Sequence, residues 1–426
     1  MPAPDMLDAA IRRGMERARR RRRWRRRLAV SACMAVLAAF VTAVKLSPGF
    51  ALAMSKIPVL SGLVWILEQD PGIRLALEHD YYQPLGLAAE LDGYRLAVDG
   101  LVADEGRMVL FYTETGGRMG GVRLLDADGN GLVASISLAD PIPVGGSREE
   151  TGPRLNAIDV NMGTGRVIPD LVVLEAEGPA GGLLRLDIPV DRNRFAGMTE
   201  TYEVDAAVSV EGQRFTVQKA VLTPVRISVH IVPDPENEKR IFRFHDLRLR
   251  LDGGEEVGWF TANGPDEAGR FVFHFPSPYF RRPASISLVG EHLGALDRDD
   301  MEISISLAER RIVKAPSDRV KLKSIEQTGD DWLITLEMTE FAEWDRWGYV
   351  LVDPWGYFSD GSGRTYKAEG QNGNSLWAES GPNGTVEMRQ VLDFRIPASD
   401  AYEDPLTFPL LDYPAYISEP FSVRIK

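Results

Sequence analysis

The sequence predicts a mainly β protein in which one N-terminal transmembrane helix precedes two or three tandem β-sandwich (Ig-like) extracytoplasmic domains. Three observations carry that expectation. Short runs of apolar residues alternate with polar ones at period two through most of the chain. Gly and Pro together make 67 of 426 residues, which suits a turn-rich β protein with a packed core. One uncharged apolar run near the N-terminus stands behind a dense arginine cluster.

Residues 1–27 hold eleven arginines against Asp5, Asp8 and Glu16, a net +8, which leaves −21 for the rest of a chain whose total is −13. An acidic body is a poor partner for nucleic acid, because phosphate binding needs a basic face. Within 1–27, Leu7, Ile11, Met15 and Ala18 recur at spacings that share one helical face. This basic helix is either a docking element for a cytosolic partner, through Leu7, Ile11 and Met15, or a helix lying on anionic lipid.

Leu28 to Val44 is 17 residues with nothing more polar than Ser31 and Thr42, and Lys45 and Leu46 extend the span to 28–46. Arginines before the run and acids after it orient the N-terminus inside and the body outside, with Trp24 at the inner edge. The localisation expected is the cell membrane, single-pass. A cleaved signal peptide is the rival, since Ala51-Leu52-Ala53 has the form of a cleavage site, although the run is long for an h-region. Val30-Ser31-Ala32-Cys33 resembles a lipid-attachment box but lacks a preceding apolar segment. Cys33 is the single cysteine, so neither an intrachain disulfide nor a Cys-based zinc site can form.

Residues 47–84 read as a juxtamembrane helical segment, with Ala53, Ile57, Leu60, Val64 and Leu67 on one face and a break at Pro58. From about residue 85 strands take over. Val225, Ile227, Val229 and Ile231 share one face of a strand. Phe271, Phe273 and Phe275 alternate with Val272 and His274, and Trp332, Ile334, Leu336 and Met338 with Leu333, Thr335 and Glu337. Turns are marked by Asp128-Gly129, Asp252-Gly253 and Asn383-Gly384. Polar stretches near 191–200 and 314–319 suggest β domains over 85–196, 197–315 and 316–426.

Four stretches together resemble a Gram-positive membrane-anchored family, domain of unknown function 4179, followed by its companion domain of unknown function 5643. They are the basic lead at 3–22, SPGFALAMSKIPVLSGLVWIL at 47–67, LDGYRLAVDGLVADEGRMVLFYTET at 91–115, and the companion-like region 203–290 with Ser277-Pro278-Tyr279-Phe280. The resemblance implies an anti-sigma-factor-like envelope sensor whose inside segment pairs with a cytosolic sigma factor. The zinc-type anti-sigma domain needs His and Cys ligands, and residues 1–27 contain neither.

No G-x-S-x-G, H-E-x-x-H or G-x-x-x-x-G-K occurs, and the five histidines (79, 230, 245, 274 and 292) are scattered. No enzyme activity, cofactor or metal is expected. Asp126 to Gly131 looks like half a calcium loop, but Ser137 stands where an EF-hand needs Glu, so a hairpin turn is the simpler reading. Five of the eight tryptophans fall in 316–426. Exposed members, with Trp344, Trp347 and Trp355 as candidates, could stack on sugars of a wall polymer or meet an envelope protein. Packing in core and rim is the simpler use of such large rings. The two functional expectations are a signalling or regulatory membrane protein and a membrane-anchored envelope-binding module.

Overall fold

The computed structural model describes residues 70–139, 154–163, 165–266, 268–345, 348–380, 386–399 and 402–426. The expected basic helix 1–27 with Leu7, Ile11 and Met15, the apolar span 28–46, most of the juxtamembrane segment, Trp347 and the Asn383-Gly384 turn lie outside these residues. Among the described residues no helix is long and apolar enough to cross a membrane. The described chain is mainly β, in several antiparallel sheets. It divides into two compact units, the first including residues up to Tyr202 with Ala220–Ser228 and Phe273–Pro283, the second the remainder.

In the first unit, helix α1 (Pro71–Glu78) begins at Asp70, whose Oδ1 accepts from the amides of Gly72 and Ile73 at 2.9 and 3.0 Å. Proline at the first helical position needs no hydrogen bond there. Eight residues cannot form a stable helix alone, so α1 depends on burying Gly72, Ile73, Ala76 and Leu77. Gly72 is required by close approach: a Cβ there would stand 2.4 Å from the amide nitrogen of Ser277.

Eight strands follow: β1 (Gln83–Leu91), β2 (Tyr94–Ala103), β3 (Arg107–Thr115), β4 (Gly121–Leu125), β5 (Ala134–Ala139), β6 (Arg154–Met162), β7 (Leu171–Glu177) and β8 (Leu183–Pro189). They form one sheet in the order β1-β2-β3-β6-β5 and another in the order β4-β7-β8. Leu96, Val98 and Leu110 from the first sheet share one buried cluster with Val172, Leu174, Leu186 and Ile188 from the second. β1 and β2 are joined by Asp92 and Gly93, both at positive φ, the backbone that matches the twist of a two-residue hairpin.

Arg107 is the polar centre of this unit. Its side chain is 4% exposed and reaches Asp70 Oδ2 at 2.7 Å and Asp159 Oδ2 at 2.6 Å. Its Nε donates to Asp159 Oδ1 at 3.0 Å and its Nη1 to the carbonyl of Val225 at 3.1 Å. The carboxylate that caps α1 thus also neutralises a buried guanidinium. Asp104, also buried, accepts from the amides of Gly106, Arg107 and Val225 at 2.9, 2.8 and 2.9 Å and from the Thr223 hydroxyl. Buried carboxylates persist only when their lone pairs are satisfied in this way.

A further five-stranded sheet runs in the order Thr261–Asn263, Phe271–Pro276, Arg226–Pro233, Gln213–Leu222, Glu200–Val210. The expected face of Val225, Ile227, Val229 and Ile231 is fully buried. In Phe271–Pro276 every residue is buried, His274 and Val272 included, so the strand has two covered faces instead of one. The turn between Val210 and Gln213 is Glu211-Gly212, both at positive φ, and it lacks the Asn-Gly or Asp-Gly signal used to find hairpins.

The second unit contains a sheet of Lys239–Phe244, Ile286–Asp297, Arg248–Leu251 and Glu255–Gly258, with Tyr416–Arg424 paired to Ile286–Asp297. Another sheet runs Arg311–Lys314, Glu302–Ser306, Leu406–Pro409, Tyr357–Ser359, Thr365–Lys367, and a four-stranded one runs Val320–Thr328, Asp331–Met338, Val386–Pro397, Gly370–Ser380. Ile303, Ile305 and Phe408 share one core with Ile334, Leu336, Leu392 and Phe394. Strand pairing therefore runs across the position near 315 where composition suggests a linker. Ile303 pairs with Phe408, and Leu288 with Val423. Polar composition marks a bend in the chain; it does not mark which strands meet beyond it.

Candidate functional site

Within the second unit, an aromatic and histidine cluster gathers around Trp344. Trp344 is 37% exposed. Its ring lies flat on His292, with centroids 4.0 Å apart and planes within 1°. His245 and Tyr416 meet it edge-on at 5.0 and 4.9 Å. These rings come from Ile286–Asp297, from the turn after Lys239–Phe244, and from the last strand, Tyr416–Arg424.

The next residue, Asp345, is fully buried and accepts from the hydroxyls of Tyr416, at 2.8 Å, and Tyr349. Burial beside this carboxylate raises both phenols above their ordinary range. Tyr349 is gripped through its backbone, its amide donating to Gln390 Oε1 at 2.8 Å and its carbonyl accepting from Gln390 Nε2 at 2.7 Å. The Arg243 guanidinium lies over the Tyr349 ring at 4.5 Å and pairs with Asp412. Burial pushes the Asp412 carboxyl up to about 6 even though Arg243 opposes it.

His245 has a side chain 1% exposed, and its Nδ1 stands 3.8 Å from Asp345 Oδ1. Among the described residues neither ring nitrogen has a hydrogen-bond partner. Burial pushes this imidazole down to about 4, against the attraction of Asp345, so it is neutral near pH 7.

Of the sequence-predicted site residues that the structure describes, Trp344 and Trp355, only Trp344 is in this cluster. One face of its indole is covered by His292, as a packing role requires. Trp355 sits in the turn before Tyr357–Ser359 and is 60% exposed, with Tyr357 at 65%. In the Asp126–Gly131 loop, Asp126 Oδ1 accepts from the amides of Asp128 and Asn130 at 3.0 and 2.9 Å, the self-capped turn expected of Asp before Asp-Gly.

Sequence reasoning missed Asp246, Glu291 and His292, whose ligand-type atoms lie within 4.8 Å of one another. The only local signal was two acid–histidine dipeptides, His245-Asp246 and Glu291-His292. Their meeting depends on the turn after Lys239–Phe244 coming beside the middle of Ile286–Asp297.

Fold and site define a mainly β protein of multiple antiparallel sheets with a packed aromatic–histidine cluster. Residues 19–115 match the family model described as domain of unknown function 4179, and this part of the chain carries that domain. Among solved structures, the chain is similar to a conserved domain protein from Bacillus anthracis, with 11% identity over 75% of this chain and 92% of that one and a TM-score of 0.34. It is also similar to a marsupial T cell receptor, with 9% identity over 75% and 96% and a TM-score of 0.13. Likenesses of that size carry no argument about fold or function. No curated protein matches.

Proposed function

We propose that the chain is a single-pass membrane protein, N-terminus in the cytoplasm, whose tandem Ig-like sandwich domains lie outside and regulate a cytosolic partner in the manner of an anti-sigma factor. The observation that carries this reading is the layout of charge: eleven arginines, 17 uncharged apolar residues, then an acidic body. The family match from 19 to 115 supports it, because it spans the end of the arginine cluster, the apolar run and the first three strands as one unit. The likeness of 203–290 to companion domain 5643 belongs to the same reading.

The test is crosslinking of a tagged full-length chain in its native membrane, with partners identified by mass spectrometry, beside a variant lacking residues 3–23. A sigma factor captured by the full chain and lost from the variant is the expected result. Envelope partners alone, unchanged in the variant, would overturn it.

A second reading, an envelope-binding module, is favoured by the exposure of Trp355 and Tyr357, since a free aromatic face can stack on a sugar. It predicts retention of the whole chain on purified wall polymer, with most of that retention lost in Trp355→Ala. Equal retention of wild type and variant would remove it.

A further inference from the structure

We propose that Asp246, Glu291 and His292 form a binding site for a divalent first-row transition-metal ion such as Zn2+ or Ni2+. One ligand-type atom from each residue lies within 4.8 Å of the other two, and all three residues are half-buried and so reachable from solvent. The fold holds two of the three in place before any ion arrives. Asp246 Oδ1 accepts from the amides of Glu291 and His292, both at 3.0 Å, which fixes the carboxylate against the strand carrying the other two ligands. His292 is held by its stack on Trp344 and by a hydrogen bond between Nδ1 and Ser418 Oγ at 2.9 Å. A bond of that kind is how proteins orient a ligating imidazole. The register between Ile286–Asp297 and Tyr416–Arg424 slips between Gly290 and His292, which sets His292 opposite Ser418.

The donor set decides the class of ion. One imidazole with two carboxylates suits zinc, nickel or manganese, whereas calcium and magnesium favour all-oxygen shells. Three protein ligands leave room for water as a fourth. Metal–ligand distances of about 2.0–2.2 Å need the donors to draw together by roughly an ångström, a movement the long side chain of Glu291 can supply. Arg248 is the neighbouring cation. Its Nη2 is 3.7 Å from Asp246 Oδ2, while its Nε is committed to Glu256 at 3.0 Å. The two carboxylates outweigh its charge.

Trp344 makes the site readable. Nickel quenches indole emission at short range, and this indole touches the proposed ligand. The experiment uses the full-length chain without a polyhistidine tag, titrated with Zn2+ by calorimetry and with Ni2+ by tryptophan fluorescence. Expected are one ion per chain, saturable quenching reversed by EDTA, and affinity weakened at least tenfold in both Glu291→Gln and His292→Gln, corresponding to roughly 1.4 kcal/mol or more. In Trp344→Phe the quenching falls while the calorimetric binding persists. Absence of saturable binding, binding unchanged in both ligand variants, or binding that leaves Trp344 unquenched would overturn the proposal.

Discussion

Replacing Arg107 by methionine is expected to destabilise the first unit by about 3–5 kcal/mol, the cost of leaving buried Asp70 and half-buried Asp159 without their cation. Two carboxylates converge on this guanidinium, Asp70 at 2.7 Å and Asp159 at 2.6 Å, and the side chain is nearly inaccessible. Methionine fills much of the volume but removes the cation that both carboxylates contact directly. It also unties Asp70, so α1 loses the link between its cap and β3. An exposed arginine offers the control: Arg95 approaches Glu90 only to 3.9 Å with both side chains more than half exposed, and Arg95→Met should cost under about 1 kcal/mol. Urea titration followed by hydrogen exchange of the β3 amides reads the unit directly. Adding Asp159→Asn to Arg107→Met should recover part of the loss, because one stranded charge is removed. A loss under about 1 kcal/mol for Arg107→Met would show that the centre is solvated and structurally incidental.

The second large effect is expected on acidification. His245 titrates at about 4 in the folded chain, against 6.5 for an ordinary histidine. Between those values the unfolded chain binds a proton that the folded chain refuses. The stability tied to this group is therefore complete above about pH 6.5 and lost as pH falls towards 4. A gap of about 2.5 pH units corresponds to ~3 kcal/mol.

The titratable and charged groups facing His245 are Asp345, Arg243, Asp246 and His292, and burial outweighs their sum. His245→Phe keeps a ring against Trp344 and Tyr416 and removes the titration. Unfolding of the second unit, followed by tryptophan emission in EDTA from pH 7 to 4, should lose the His245 part of its acid slope in the variant and change little at pH 7. Asp412 acts in the opposite sense. Its raised carboxyl favours the folded state at low pH and loses that contribution as pH rises towards 6. It is common to both proteins, so their difference isolates His245. Identical acid slopes would sink the assignment.

The β class was legible because strand formation is written locally. The alternation in 225–231 and in 334–338 appears as buried residues on the expected side, since period two is a property of the backbone itself. Val225, Ile227, Val229 and Ile231 are buried in one and Ile334, Leu336 and Met338 in the other, while Trp332 is only half-buried. Asp252-Gly253 likewise has both residues at positive φ, as a turn needs. The Asp–His–Glu triad was not legible, because its members stand on segments 45 residues apart that share no local pattern. Nor could the run of tryptophans show that Trp344 has a face covered by histidine while Trp355 stands exposed.

By itself, the sequence determined the strand-forming character of the chain, several of its turns, and the division between a basic apolar lead and an acidic body. These follow from side-chain periodicity, glycine stereochemistry and charge, all of which act over a few residues. Only the tertiary structure decided that Tyr416–Arg424 pairs with Ile286–Asp297, that Arg107 finds Asp70 and Asp159, and that the His245 ring is buried with no hydrogen-bond partner among the described residues. Each of those outcomes depends on which distant segments exclude water together, and a pattern with a period of two residues carries no information about its partner.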